Sequence, residues 1–357
     1  MRVLIAGGGT GGHLFPGIAI AEAFRTRRPA AEVLFVGTGN PMEVSTLSKK
    51  GFDHVSIIAE GLKGRGLWRQ IRSLLKIPVA VWQALRIIWR FVPDVIIGLG
   101  GYASGPVALA AKSAKKRIVI HEQNILPGFT NRVLGYLADR VFISFPDDYK
   151  RFKSSKTVIT GNPVRQELLK IKSENKGTAP FKVLIVGGSQ GAHAINRAVI
   201  EALDHLKRPT QMSFVHQTGA KDAAWVRKAY ESRGIEAEVE PFFLDMAGPY
   251  ANAHVVVCRA GATTVSELMA LGKPAIFIPF PFAANNHQEL NARYVADTGG
   301  AEVLLEKDLN GPALAARVDH YMSHPEALSE MTKRTRMLAR PDAARVIVDE
   351  CCRLVGA

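Results

Sequence analysis

Cysteine is scarce in this 357-residue chain. The three present, Cys258, Cys351 and Cys352, form no CxxC spacing, and an odd number offers no disulfide framework. Long apolar runs are missing too. None approaches about 18 uncharged residues, so a membrane-spanning helix is not expected. The opening MRVLIAGGGTGG lacks signal-peptide anatomy, since its short apolar run enters glycines at once. These absences point to a reducing, cytoplasmic setting. No DxD occurs anywhere, so a carboxylate-held divalent metal on a nucleotide diphosphate is not indicated, and no metal or other cofactor is expected. Neither glycine-rich turn carries the Lys-Ser/Thr of a Walker A loop, which argues against ATP or GTP hydrolysis.

Acidic residues are unevenly missing. Residues 1–163 hold 23 Lys and Arg against 10 Asp and Glu, a balance of +13, whereas residues 164–357 hold 23 against 22. Such one-sidedness suits a polyanionic partner, nucleic acid or an anionic membrane face. Between Glu60 and Asp94 there is no acid at all, while Lys63, Arg65, Arg69, Arg72, Lys76, Arg86 and Arg90 alternate with Leu67, Trp68, Leu74, Leu75, Val79, Trp82, Trp89 and Phe91. Trp82 and Trp89 share a helical face at a spacing of seven. Val81, Leu85 and Ile88 read as the core side of that helix. Trp68, Arg72, Leu75, Lys76, Trp82, Arg86 and Trp89 are therefore the candidate membrane contacts, docking peripherally on an anionic lipid face.

What is present in abundance is a repeated plan. Val3-Leu-Ile-Ala-Gly-Gly-Gly-Thr-Gly-Gly-His13 returns as Val183-Leu-Ile-Val-Gly-Gly-Ser-Gln-Gly-Ala-His193. Strand, tight glycine turn and helix is the opening unit of a doubly wound sheet, and its turn presents N–H groups to an anion. Further buried-strand runs are Val33–Val36, Val55–Ile58, Val95–Leu99, Ile118–His121 and Val141–Ser144, then Ser213–Gln217, Val255–Cys258 and Ala275–Pro279. Glu236, Glu238 and Glu240 alternate like the solvent face of a strand. The expected fold is α/β with two Rossmann-like parallel-sheet domains facing a cleft. The boundaries fall at 1–163 and 164–340, the polar stretch Lys172–Pro180 lies in the interdomain region, and a final helix within 341–357 packs back on the first domain.

Gly7-x-Gly9-x-x-Gly12 fits a dinucleotide fingerprint, but the second strand ends in Gly37-Thr-Gly-Asn40 rather than an acid, which disfavours nicotinamide binding. The loop runs straight into His13, near a helix start where the dipole favours neutral imidazole, as a general base requires; a surface or capping histidine is the plainer alternative. Glu267, in Cys258-Arg-Ala-Gly-Ala-Thr-Thr-Val-Ser-Glu267, suits the vicinal hydroxyls of a ribose, or else merely complements a helix dipole. His287 and Gln288 open a further helix with groups suited to sugar hydroxyls. Arg165 follows the Gly161-Asn-Pro163 turn and suits a diphosphate, unless it is an ordinary solvated arginine.

Seven segments occur together and in order: Gly7–His13, Gly100-Gly-Tyr-Ala-Ser-Gly-Pro106, His121-Glu-Gln-Asn124, Gly161–Arg165, Gly187–Gly191, Cys258–Glu267 and Asn286-His-Gln288. This set resembles the bacterial lipid I N-acetylglucosaminyltransferases, a group of GT-B glycosyltransferases in peptidoglycan synthesis. The resemblance implies inverting transfer of GlcNAc from UDP-GlcNAc to the 4-hydroxyl of MurNAc on undecaprenyl diphosphate, lipid I giving lipid II. It implies donor contacts at Thr10, Gly11, Gly12, Asn124, Arg165, Ser189, Gln190, Phe243 (through its backbone, to uracil), Ala262, Thr263, Thr264, Val265, Ser266, Glu267, His287 and Gln288. Acceptor-side residues would be Gly11, Gly12, Tyr102, Ser104, Asn124 and Asn131. His13 would be the base, with Glu122 the alternative. Cell-wall synthesis and division proteins are the partners it suggests. His287 stands where Gln is common and His193 where Arg is frequent, so His193 receives no role. Competing readings are a UDP-GlcNAc epimerase, another glycolipid-forming GT-B transferase, and a nucleic-acid-binding module, for which no readout motif is visible.

Overall fold

The structure, a computed structural model, describes residues 1–59, 67–171, 180–188, 190–243 and 245–356, with the side chains of 67–75 left aside. Ser189, the side chains of Trp68, Arg72 and Leu75, Lys63 and Arg65 of the basic stretch, and most of Lys172–Pro180 lie outside the described residues. The chain forms two compact units, Met1–Arg165 with Arg340–Ala357, and Gln166–Ala339.

The first unit is built on seven parallel strands: β1 (Arg2–Ala6), β2 (Glu32–Gly37), β3 (Asp53–Ser56), β4 (Val95–Gly98), β5 (Arg117–Glu122), β6 (Arg140–Ile143) and β7 (Thr157–Ile159), in the order β3-β2-β1-β4-β5-β6-β7. The second repeats the plan with β8 (Phe181–Val186), β9 (Met212–Gln217), β10 (Ala237–Glu240), β11 (Val255–Cys258), β12 (Ala275–Phe277) and β13 (Glu302–Val303), ordered β10-β9-β8-β11-β12-β13. All described ladders are parallel.

Parallel sheets covered on both faces need strands that are apolar throughout. β1 shows how the two-residue period divides them: Val3 and Ile5 enter one core with Phe24, Phe35 and Leu47, while Leu4 and Ala6 enter the opposite one with Ala84, Ile88 and Val107. Helix Ala343–Val355 completes the first of these cores, placing Ile347, Val348 and Cys351 against it and pairing Asp349 with Arg27. All three cysteines are free and buried, and burial pushes the Cys258 and Cys351 thiols up, away from thiolate chemistry.

Three edge strands depart from the sequence reading. β3 lies two residues earlier than the apolar run Val55–Ile58, because it pairs with β2 only as far as Gly37, leaving Ile58 46% exposed. β7 and β13 are too short and too polar to announce themselves. β10 carries the expected alternation, with Glu238 and Glu240 outward and Val239 buried.

Candidate functional site

In the first unit, His13 is the third residue of the helix Gly11–Arg27, which begins directly beyond β1. Gly100 and Gly101, both with left-handed φ (+89° and +76°), form the facing turn. A Cβ at Gly100 would lie 3.2 Å from His13 Cε1, and one at Gly101 would lie 3.0 Å from Gly8 O. Two glycines are therefore needed for the turn to close on the imidazole.

The His121-Glu-Gln-Asn124 segment spans the end of β5 beside this histidine. His13 Nδ1 is 3.2 Å from Gln123 Oε1. Gln123 is buried, and its Nε2 donates to Leu99 O at 3.0 Å and lies 3.3 Å from His121 Nδ1. His121 Nε2 is 3.1 Å from Gly161 O, and burial brings this histidine down to about 4. Glu122 is also buried. Its Oε1 accepts from Asn124 N and Nδ2, and its Oε2 from Gly128 N and from Asn131 Nδ2 at 2.9 Å. Its carboxylate is thus committed to shaping the 122–131 loop. Ser104 is fully buried and donates to Ala6 O and Gly100 O, so it braces the glycine turn from beneath, whereas Tyr102 on the same helix is 55% exposed. Thr10 and Gly12 are exposed at the helix start. Arg165 is buried, its guanidinium 4.7 Å from the centre of the Phe15 ring.

Glu43 was not anticipated. It rises from the helix Pro41–Lys49 into the space between Gly8 and Gly37, where a Cβ on Gly37 would overlap its Oε1. Burial raises its pKa, against backbone hydrogen bonds from Thr38 and Gly9 that lower it. A carboxyl group thus fills the ground beneath the first glycine loop, a second physical reason, besides the missing ribose acid, why this GxGxxG does not read as a dinucleotide site. Its sequence signal was faint: an acidic residue in the first turn of a helix is ordinarily a dipole partner.

In the second unit, the loop after β8 faces β9 through Gly191 and Thr218. Gln190 is exposed. Gln217, buried at the end of β9, joins two candidate segments: its Nε2 donates to Gly188 O at 3.2 Å, and its Oε1 accepts from Phe243 N at 3.0 Å. The Phe243 N–H is therefore already engaged. Helix Ala262–Leu271 follows β11 and carries Thr263 and Thr264 half-buried, Val265 and Ser266 buried, and Glu267 4% exposed. As the sixth helical residue, Glu267 lies past the first turn, where a dipole partner would sit. Its Oε2 accepts the Tyr250 hydroxyl at 3.2 Å. Beyond β12, Asn285 and Asn286 both take left-handed φ, a conformation asparagine tolerates, and turn the chain into the helix His287–Ala296. His287 Nδ1 is 2.7 Å from Ala284 O, which assigns the proton to Nδ1 and leaves Nε2 as an acceptor. Gln288 Oε1 accepts from Phe280 N at 3.0 Å, aiming its amide N–H groups elsewhere.

Among the described residues no group of three or more His, Cys, Asp or Glu is disposed to hold a metal ion, and no helix is long and apolar enough to cross a membrane. Helix Leu67–Phe91 buries Ala80, Ala84 and Ile88, with Val81 and Leu85 only flanking them, so its core line sits one residue away from the expected one at two of three positions. Val79, Trp82, Arg86 and Trp89 follow one another at three- and four-residue spacing on the outer face. Trp82 is 54% and Trp89 65% exposed, and the Arg86 guanidinium lies 4.8 Å from the Trp82 ring centre.

Two sheets of one strand plan, each ending in a glycine loop, define an architecture shared by glycosyltransferases and nucleotide-sugar epimerases. The crystal structure of Acinetobacter baumannii MurG superposes with a TM-score of 0.78 at 31% identity over 99% of both chains. The UDP-GlcNAc 2-epimerase from Neisseria meningitidis reaches 0.69 at 16% identity over 98% of this chain and 99% of that one, a likeness of fold alone. Residues 3–143 match the glycosyltransferase family 28 N-terminal domain and residues 182–347 its C-terminal domain. A Geobacter sp. (strain M21) protein named UDP-N-acetylglucosamine--N-acetylmuramyl-(pentapeptide) pyrophosphoryl-undecaprenol N-acetylglucosamine transferase is 47% identical over 351 residues, 98% of this chain and 95% of that protein. The chain belongs to glycosyltransferase family 28.

Proposed function

We infer that this chain transfers GlcNAc from UDP-GlcNAc to the MurNAc 4-hydroxyl of lipid I, giving lipid II and UDP. The observation that carries the reading is the 47% identity, over nearly the whole chain, to a transferase named for that reaction. Inversion at the anomeric carbon needs one base for the incoming hydroxyl and fixed donors for the departing diphosphate. In this reading His13 Nε2 takes the hydroxyl proton, supported by its place beyond β1 and its bond to Gln123. Asn124, Asn131 and the loop Thr10–Gly12 serve the acceptor side. The loop Gly187–Gly191, the start of helix Ala262–Leu271 and Arg165 meet the diphosphate. Glu267 holds the ribose, and His287 and Gln288 hold the sugar. Because the Phe243 N–H is taken by Gln217, uracil meets the Phe243 carbonyl first, through its N3–H, and gains the N–H only by displacing Gln217. No bound metal has a part in this mechanism.

Radiolabelled UDP-GlcNAc with a lipid I analogue should yield labelled disaccharide lipid, and added chelator should leave the rate intact. Donor alone should return no UDP-ManNAc. Epimerised donor without acceptor would overturn the transferase reading in favour of an epimerase.

The first unit is the acceptor-side and membrane-side domain in the same reading, and the stripe Val79, Trp82, Arg86 and Trp89 rests peripherally on anionic lipid of the cytoplasmic leaflet. Basic residues near such a surface contribute about 1 kcal/mol each. Replacing Arg86 and Arg90 by alanine should therefore weaken co-sedimentation with phosphatidylglycerol vesicles by roughly 30-fold at low salt. Raised salt should weaken the unaltered protein in the same direction. Binding indifferent to both lipid charge and salt would remove the electrostatic half of this assignment.

A further inference from the structure

We propose that Gln123 is the positioning residue that sets the tautomer of His13, holding the proton on Nδ1 so that Nε2 is the proton acceptor. The proposal rests on His13 being the base, and it is carried by the directions of three consecutive hydrogen bonds, His13 to Gln123, Gln123 to His121 and His121 to Gly161.

Heavy-atom positions alone do not distinguish the two ends of a glutamine amide or the two tautomers of a neutral imidazole; the partners must decide. For Gln123 they do. Its Nε2 lies 3.0 Å from Leu99 O and 3.3 Å from His121 O, two backbone carbonyls that only accept. Turning the amide over would set its oxygen against both carbonyls and strip Leu99 O of this donor inside a buried site, a loss of about 1–3 kcal/mol, while His121 O keeps Asn131 Nδ2 at 3.1 Å. The nitrogen therefore faces the carbonyls and the oxygen faces His13 at 3.2 Å. An amide oxygen has no hydrogen to give, so His13 Nδ1 must be the donor.

The other end of the chain is consistent. His121 Nε2 lies 3.1 Å from Gly161 O, which only accepts, so neutral His121 carries its proton on Nε2 and its Nδ1, 3.3 Å from Gln123 Nε2, takes the second amide hydrogen, the first going to Leu99 O. Neither Gln123 nor His121 brings a charge to His13, because the amide is neutral and His121 is fully buried and stays neutral at physiological pH. The Gly161 carbonyl, Leu99 at the end of β4 and His121 at the end of β5 are all fixed by the sheet of the first unit, so the tautomer of His13 is set by the backbone through one side-chain amide. The choice of an amide rather than a carboxylate has a chemical consequence. A carboxylate in this place would stabilise imidazolium and make the histidine a stronger but more readily protonated base, whereas glutamine orients it without adding charge.

The decisive measurement is the imidazole 15N spectrum of the full-length, uniformly labelled protein, with the His13 signals assigned by their loss in His13→Ala. At a pH where His13 is neutral, Nδ1 should carry the proton and Nε2 should resonate as the bare nitrogen. In Gln123→Leu the two forms should mix and kcat should fall at least tenfold with the UDP-GlcNAc KM little moved. In Gln123→Glu, which preserves the shape and the accepting oxygen, the acid limb of kcat/KM should move upward by roughly one pH unit, since a facing carboxylate favours the protonated ring. A merely structural role would lower stability and rate without moving that limb. Unaltered protein with the proton on Nε2 would overturn the proposal whatever the variants do. If instead His13→Ala turns over normally, the base assignment fails while the tautomer result still stands or falls on the spectrum.

Discussion

Replacing His13 by alanine should lower kcat by about 10²- to 10⁴-fold, the range a positioned general base supplies, while UDP-GlcNAc affinity stays nearly constant. The separation of the two effects follows from where the groups lie. His13 belongs to the first unit, between the loop after β1 and the Gly100–Gly101 turn, whereas the groups assigned to ribose, uracil and sugar all belong to the second. Initial rates over a UDP-GlcNAc series give kcat and KM, and calorimetry with UDP gives donor-site affinity independently. The profile of kcat/KM should fall on its acid side as the imidazole takes a proton, and that limb should vanish in the variant. Near-normal kcat would pass the role to Glu122. Geometry speaks against that outcome, because both Glu122 oxygens already accept N–H groups from Asn124, Gly128 and Asn131 in tying down their own loop.

The central strands were legible because a strand buried on both faces has to be apolar at every position. β1, β8 and β11 appear in the sequence as short unbroken runs, and the glycines after two of them mark where the chain must turn sharply beneath a helix. The echo between residues 3–13 and 183–193 announced two sheets of one plan, which the strand orders repeat. Edge strands were less legible, since β7 and β13 have a neighbour on one side only and tolerate Thr157 and Glu302. β3 shows the related difficulty: its register is fixed by where β2 stops, a fact held by another part of the chain.

Site residues divide in the same way. His13, His287 and Gln288 stand at helix starts and Glu267 in the second turn of a helix that follows a glycine turn, so position along the chain pointed to them. Gln123, Gln217, Tyr250 and Glu43 act by what they reach across the fold. Gln123 lay inside a segment already marked, but its task depends on the Leu99 and His121 carbonyls, which no local pattern reveals. Gln217 ends an ordinary strand and ties Gly188 to Phe243, 55 positions apart. Glu43 looks like a routine helix-start acid until the missing Cβ atoms of Gly8 and Gly37 show the space it fills. Ser104 is a polar residue in a suggestive motif whose hydroxyl faces the Ala6 and Gly100 carbonyls, a partnership that the motif itself does not reveal.

Removing the Glu267 carboxylate should weaken UDP and UDP-GlcNAc binding by roughly 10²-fold while kcat at saturating donor changes little. Two hydrogen bonds from ribose hydroxyls to an ionised carboxylate, at about 1.5 kcal/mol each at the low end of the charged range, give about 3 kcal/mol, and each 1.4 kcal/mol is a factor of ten. The group is well placed to deliver that energy. It is buried and lies beyond the helix's first turn, and Tyr250 holds its Oε2, so little side-chain freedom remains to be lost on binding. Calorimetry on Glu267→Ala tests the magnitude, and a deoxygenated nucleotide tests the cause. 2′-Deoxy-UDP should bind the unaltered protein less tightly than UDP, yet in Glu267→Ala the two nucleotides should bind alike, because the partner for the missing hydroxyl is already gone. Equal losses for 2′-deoxy-UDP in both proteins would show that Glu267 does not hold the 2′-hydroxyl. Tyr250→Phe supplies the intermediate case, keeping the carboxylate but freeing its orientation, and should fall between the two.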